Sequence, residues 1–210
     1  MSVPGVAPDA IPRVALIGRL SLFGAGGARL HDELIEITAR WVDPADRKPS
    51  LRPYGEDATQ RTLELLDETL AKAPKAVADT VIKRISAALR RDVEELTPHL
   101  ESRAETARKA AEKALTERGE REAQAMRDLL ADQEKRIRET IAKQDLAQLS
   151  LDLGDIDRRQ AEADRKYRKG RLDRLAEDRE REPRRIVDGY LTRAARLEPV
   201  GIVYLWPATG

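Results

Sequence analysis

Residues 75–115 read KAVADTVIKRISAALRRDVEELTPHLESRAETARKAAEKAL, and the spacing of their apolar side chains decides the fold. Val77, Val81, Ile85, Leu89, Val93, Leu96 and Leu100 recur at steps of three or four, which places them on one face of a helix. One side of that helix must be covered. Beyond Pro98 the stripe thins to Ala104, Ala107, Ala111 and Ala114, then resumes at Leu115, Met126, Leu129, Ile137 and Ile141, with Arg, Lys and Glu on the other faces. Small residues there let a partner helix come close. At about 1.5 Å per residue, the arm over 75–145 would extend on the order of 100 Å, more than a compact domain of this size needs. It carries no catalytic motif.

The composition agrees with a divided molecule. Of 210 residues, 37% are charged and 40% hydrophobic but only 3% aromatic, which argues for a small globular end plus a helix seam and against one large core. The formal net charge of +1 conceals local segregation, so it neither demands nor excludes a polyanionic partner. The chain has no cysteine, which excludes disulfides, thiolate nucleophiles and Cys-bound zinc. No stretch approaches the run of about 18 apolar residues that a membrane span needs, and MSVPGVAPDA lacks the features of a secretory signal. The expectation is a cytoplasmic protein with no membrane partner.

Residues 14–23 (VALIGRLSLF) predict a strand with Val14, Leu16, Leu20 and Leu22 on one face and a bulge near Gly18 and Arg19. FGAGGAR follows. Glycine-rich loops after strands can cradle phosphate, but this one lacks both the full GxGxxG spacing and a following Lys-Ser/Thr, so it reads as a plain turn. Residues 31–36 could open as a helical turn, but Ile35, Ile37, Ala39 and Trp41 alternate with polar residues and favour a second strand over 35–42. Three prolines then mark 43–57 as a linker or wrapping loop. Leu63, Leu66 and Leu70 predict a helix over 59–70, capped by Asp57 or Thr59 and ended by Pro74.

Within the arm, Pro98 predicts a kink or break near Thr97, or a new helix capped by Thr97. QLSLDLG, at 148–154, predicts a short strand or apolar elbow that turns at Gly154. From 155 to 182 helical spacing returns with Ile156, Gln160, Ala163 and Tyr167, then Leu172 and Leu175, so this segment runs back along the arm as its antiparallel partner. Pro183 is expected to reset the chain before a short helix through Ile186, Tyr190 and Leu191. Residues 201–206 are β-rich and predict a last strand that joins the first two.

Candidates for chemistry are few. His31 and His99, the only histidines, lie far apart; His31, Asp32 and Glu33 could contribute metal ligands, but such clusters are ordinary on a solvated strand. None of Ser21, Ser50, Ser86, Ser102 or Ser150 stands in a nucleophile-elbow sequence. The strongest electrostatic feature is Arg165, Lys166, Arg168, Lys169 and Arg171, with Arg158 and Arg159 upstream, a cluster able to neutralise nucleic-acid phosphates. The interleaved acids also fit a salt-bridged coiled-coil exterior, and on sequence physics alone that reading leads. Tyr167, following Ala163 on the stripe, reads as seam rather than as a stacking platform.

The C-terminal text RLEPVGIVYLWPATG, preceded by RRQAEADRKYRKGRLDRLAEDREREPRRIVDGY, resembles the end of the large Swi/Snf-related helicase-like ATPases of bacterial DISARM-type phage-defence systems. RVALIGRLSLFGAGGARLHDELIEITARWVDP, followed by LRPYGED, resembles a segment of the same proteins after their motor domains. The resemblance implies a setting in which ATP hydrolysis drives movement on DNA, with ATP and Mg²⁺ belonging to the parent helicase. This chain departs from the motor pattern: it has no Gly-Lys-Thr/Ser phosphate loop, acidic Mg²⁺ box or arginine-finger segment, and HDELI at 31–35 has no phosphate loop upstream. No catalytic residue carries over, and no cofactor is expected in this chain.

The sequence thus predicts an α+β, mostly helical protein: a small antiparallel sheet from N- and C-terminal segments, with a long projecting antiparallel helical hairpin. Its parts are an N-terminal β segment and loop over 1–57, a coiled-coil arm over 58–182, and a short helix and strand over 183–210. The expected function is a non-catalytic C-terminal accessory module of a helicase-like DNA translocase, partnered by the motor domain, other defence-system subunits or DNA. A stand-alone coiled-coil protein–protein adaptor that binds no nucleic acid is the alternative.

Overall fold

The computed structural model describes residues 5–6, 11–46, 50–71, 77–150 and 155–207. In chain order the elements are β1 (Gly5–Val6), β2 (Arg13–Phe23), a 3-10 turn (Ala25–Gly27), β3 (Arg29–Arg40), α1 (Glu56–Ala71), α2 (Asp79–Ser150), α3 (Asp155–Tyr190) and β4 (Ala194–Pro207). The fold is α+β and mostly helical. Two compact units divide it: Met1–Phe23, Arg29–Ala111 and Arg193–Gly210 form the first, Gly24–Ala28 and Glu112–Thr192 the second.

The first unit is built on β2. β3 and β4 pair antiparallel along its two sides, and β1 adds two residues parallel to β4, giving the order β1-β4-β2-β3. The C-terminal strand therefore closes onto the N-terminal hairpin, as the cost of an unpaired apolar edge predicts. Both flanking strands exceed their predicted lengths: β3 begins at Arg29 and takes in the segment open to a helical turn, and β4 begins at Ala194. Backbone pairing with all of β2 is indifferent to side-chain alternation, and it carries these polar stretches into the sheet. The turn between β2 and β3 places Gly26 and Gly27 at φ 64° and 77°, a left-handed backbone that glycine adopts without strain.

One face of the sheet carries Val14, Leu16, Leu20 and Leu22, none more than 4% exposed. The first part of α2 covers this face with Ile85, Ala88, Asp92, Leu96 and Leu100, all buried at helical spacing. Gly18 permits the close approach, since a Cβ there would stand 3.0 Å from Leu100 Cδ2 and 3.1 Å from Leu197 Cδ1. The expected bulge lies at this point: Ile17 pairs with Gly201 and Gly18 with Pro199, so Val200 is the extra residue, and it is carried by β4. On the opposite face, α1 packs Leu65 against Leu205, with Leu66 and Val203 beside them. Thr59 does not spend its hydroxyl on capping α1 but hydrogen-bonds Thr38 at 2.8 Å, while Arg13 donates to Thr62 at 3.0 Å.

Among the apolar residues on the sheet-facing side of α2, Asp92 lies fully buried. Its Oδ2 accepts hydrogen bonds from Trp41 Nε1 and from the Tyr204 hydroxyl, each at 2.9 Å. One carboxylate thereby joins α2, β4 and the chain just past β3. Trp206 meets Trp41 edge-on at 5.4 Å, and the Arg84 guanidinium lies over the Trp41 ring at 5.7 Å.

The second unit contains an antiparallel helix pair. Glu122 of α2 accepts from Tyr190, Glu134 pairs with Arg179, Gln144 accepts from Arg168 and Asp145 from Arg165. The partners advance from Glu122 to Gln144 on α2 while retreating from Tyr190 to Arg168 on α3, 22 residues in each direction (144 − 122 and 190 − 168). Gly119 makes room at one end, because a Cβ there would stand 3.1 Å from Tyr190 Cβ and Cδ2. Ala123, Leu130 and Leu175 are buried.

Several expectations along the helices are corrected. Pro98 and Pro183 both lie inside continuous helices. A proline removes one backbone bond, but the turns around Pro98 are held by buried Leu96 and Leu100, and Pro183 is itself fully buried. Residues 148–150 belong to α2 and not to a strand, while 151–154, with the expected turn at Gly154, lie outside the described residues, as does Pro74. On α2, Leu130 is buried and Leu129 is 52% exposed, and on α3, Ile156 and Tyr167 are 84% and 75% exposed. The stripe through Ile156, Ala163 and Tyr167 therefore faces away from α2: Arg165 and Arg168, by hydrogen-bonding Asp145 and Gln144, show which side of α3 is the seam.

Asp92→Ala would leave two buried donors without their acceptor, and the expected loss is roughly 2–4 kcal/mol in the first unit. Asp92→Asn, which keeps an acceptor oxygen, should cost less. Both tryptophans of the chain lie in this unit, so urea denaturation followed by Trp fluorescence measures it.

Candidate nucleic-acid interface

The basic residues singled out in the sequence all lie on α3, and the helix sorts them by direction. Arg165 pairs with Asp145 at 3.3 Å and Arg168 donates to Gln144, so these two are turned toward α2. Lys166 and Arg171 point the other way. With Ala163, Tyr167, Gly170 and Arg174 they line a shallow groove of about 370 Å³. Arg159 stands one turn before Ala163, whereas Arg158 and Lys169 are exposed elsewhere on the helix. Across 158–174 there are eight basic and three acidic residues, a local net charge of +5 (8 − 3).

The residues at 163, 166, 167, 170, 171 and 174 follow the three-or-four step of one helical surface, and that step brings in Tyr167 and Arg174 while removing Arg165 and Arg168. Arg174 was visible to this criterion; the direction of the face was not, because it depends on where α2 lies. Among the described residues, Lys166, Arg171 and Arg174 have no carboxylate partner and remain available to an external anion.

The carboxylates of the helix pair have different work. Arg138, and then Arg179, hold Glu134 below the usual carboxylate range by hydrogen bonding to its ionised form. The Tyr190 hydroxyl, and then Arg118, do the same to Glu122, and the Tyr190 phenol is raised in turn by donating to that carboxylate. In the first unit, Asp32 is held well below its ordinary value by Arg19 and Ser21, which places it in a strand-surface ion pair. Its neighbour His31 lies 3.4 Å from Glu33.

The remaining candidates carry less. Among the described residues no group of three His, Asp or Glu side chains stands where it could hold a metal ion. Ser21 donates to Asp32 and Ser86 to the Ile82 carbonyl. Asp92 is enclosed by its Trp41 and Tyr204 donors and serves the fold. Among the described residues no helix is long and apolar enough to cross a membrane. No family model, curated protein or solved structure matches the chain.

The two depressed glutamates set an acid limit on the helix pair. A lowered folded-state value means that the unfolded chain binds protons first, so the contribution is complete above the ordinary value of 4.5 and is lost as pH falls through the depressed values. Thermal melts followed by helical circular dichroism should therefore fall below pH 4.5. The Glu122→Gln, Glu134→Gln double variant should melt lower than the parent at neutral pH and show a flatter acid limb.

Proposed function

We propose that this chain is a non-catalytic module that positions a nucleic-acid strand along the outward face of α3, as an accessory part of a helicase-like DNA translocase. The observation that carries the reading is the +5 stretch over 158–174, where the helix pair satisfies Arg165 and Arg168 internally and leaves Lys166, Arg171 and Arg174 directed outward. Cations in a row along a helix match the regular anionic charge of a phosphate backbone, and the affinity they supply comes largely from counterion release. The translocase setting rests on the resemblance of both ends of the chain to helicase-like phage-defence ATPases. In this reading ATP turnover belongs to a separate motor, in keeping with a sequence that carries no phosphate loop or Mg²⁺ box.

Fluorescence anisotropy with a labelled oligonucleotide across a salt series tests the binding. The Lys166→Gln, Arg171→Gln, Arg174→Gln variant should bind at least about tenfold more weakly near 0.1 M salt and should lower the log–log salt slope by about two. An unchanged slope overturns the proposal. The isolated chain should turn over no ATP, and co-expression should recover a motor subunit by pull-down; turnover by the chain alone overturns the non-catalytic assignment.

The adaptor reading is favoured by one observation, the 61% exposed Leu34 on β3, a strand at the edge of the sheet. A protein partner lost on Leu34→Asp, from a chain that binds no oligonucleotide, would select it.

A further inference from the structure

We infer that the outward face of α3 selects single-stranded over duplex nucleic acid by stacking a base on Tyr167; the inference rests on the nucleic-acid reading above and names its substrate class. Tyr167 is 75% exposed, an aromatic ring set among charged or small residues in the groove formed with Ala163, Lys166, Gly170, Arg171 and Arg174. It lies off the side of α3 from which Arg165 and Arg168 bond α2, and among the described residues its hydroxyl has no hydrogen-bond partner. Packing therefore does not account for its ring.

Its surroundings suit a flat aromatic ligand carrying a phosphate. Gly170 lies one turn further on, and a Cβ placed there would meet nothing within 4 Å. Helical side chains lean toward the N-terminus, so a larger residue at 170 would lie across the turn that carries Tyr167; glycine leaves the ring's flank clear. Glycine is also a poor choice inside a helix, which makes this opening the more telling. Lys166, Arg171 and Arg174 line the same groove and place cations within reach of the phosphates on either side of a stacked base. Bases inside a duplex are already stacked on one another and present only their edges, so the ring adds affinity for an unpaired strand alone. The cations serve both forms.

The test uses the full chain with labelled oligo(dT), a labelled duplex of mixed sequence, and phosphatidylserine vesicles. Oligo(dT) should bind more tightly than duplex at equal salt. Tyr167→Ala should weaken oligo(dT) binding about tenfold and duplex binding less than about twofold, with Tyr167→Trp restoring the difference. Gly170→Leu should also weaken oligo(dT) binding while raising helical stability, an outcome that a purely structural role for Gly170 would not give. Because Tyr167 is exposed, its variants should keep the parent's circular dichroism and melting temperature. If oligo(dT) binds and Tyr167→Ala leaves its affinity unchanged, or lowers both affinities equally, strand selection is overturned and phosphate binding by α3 stands. If neither nucleic acid binds at low salt, or only the vesicles bind, the nucleic-acid reading falls with it.

Discussion

A carboxylate buried beneath a small sheet constrains the first unit more than any other contact. Asp92 is inaccessible to water, and such a group is tolerated only when its acceptor positions are filled. Trp41 and Tyr204 donate to it from sequence positions 51 residues before and 112 residues after. Apolar contacts between α2 and the sheet could slide by a helical turn at modest cost, whereas these two hydrogen bonds have one geometry. The chain just past β3, the C-terminal strand and the helix are therefore held in one register. The loop after β3 is fastened alongside, with Arg84 paired to Asp43 and Asp46 and the Leu51 amide donating to Glu95 at 2.8 Å.

The second unit is held by different means. Its seam has small and sparse apolar side chains, and polar bonds between helices mark its length from Tyr190 with Glu122 to Arg165 with Asp145. Exposed ion pairs contribute little individually, but they are directional, and here they choose which side of α3 meets α2. That choice creates the candidate interface. With Arg165 and Arg168 turned inward, the opposite side keeps Lys166, Arg171 and Arg174 around an exposed tyrosine, so the arrangement that joins the helices also concentrates unpaired positive charge on one outer face.

Much of the architecture was legible in the residues. Alternation at Val14, Leu16, Leu20 and Leu22 marked the central strand, the β-rich end around Ile202 and Tyr204 marked its partner, and the three-or-four step from Ile85 to Leu100 marked the helix that covers them. The prolines misled because their local cost is set against burial of the turns around them, a quantity no local rule contains. Tyr167 misled for a related reason: a stripe of apolar residues announces a helix, but says nothing about which side the partner takes when arginines are the residues that reach across.

Periodicity, turn glycines and the charge count by themselves determined an α+β chain, a sheet closed by its two ends and a charged helix returning along another. Those features follow from local geometry and from the cost of unpaired strand edges. The burial of Asp92, the pairing of Trp41 with Tyr204 through it, and the outward turn of Lys166, Tyr167, Arg171 and Arg174 were decided only in three dimensions. Each depends on residues far apart in sequence coming within bonding distance, and a contact of that kind leaves no period for a linear reading to detect.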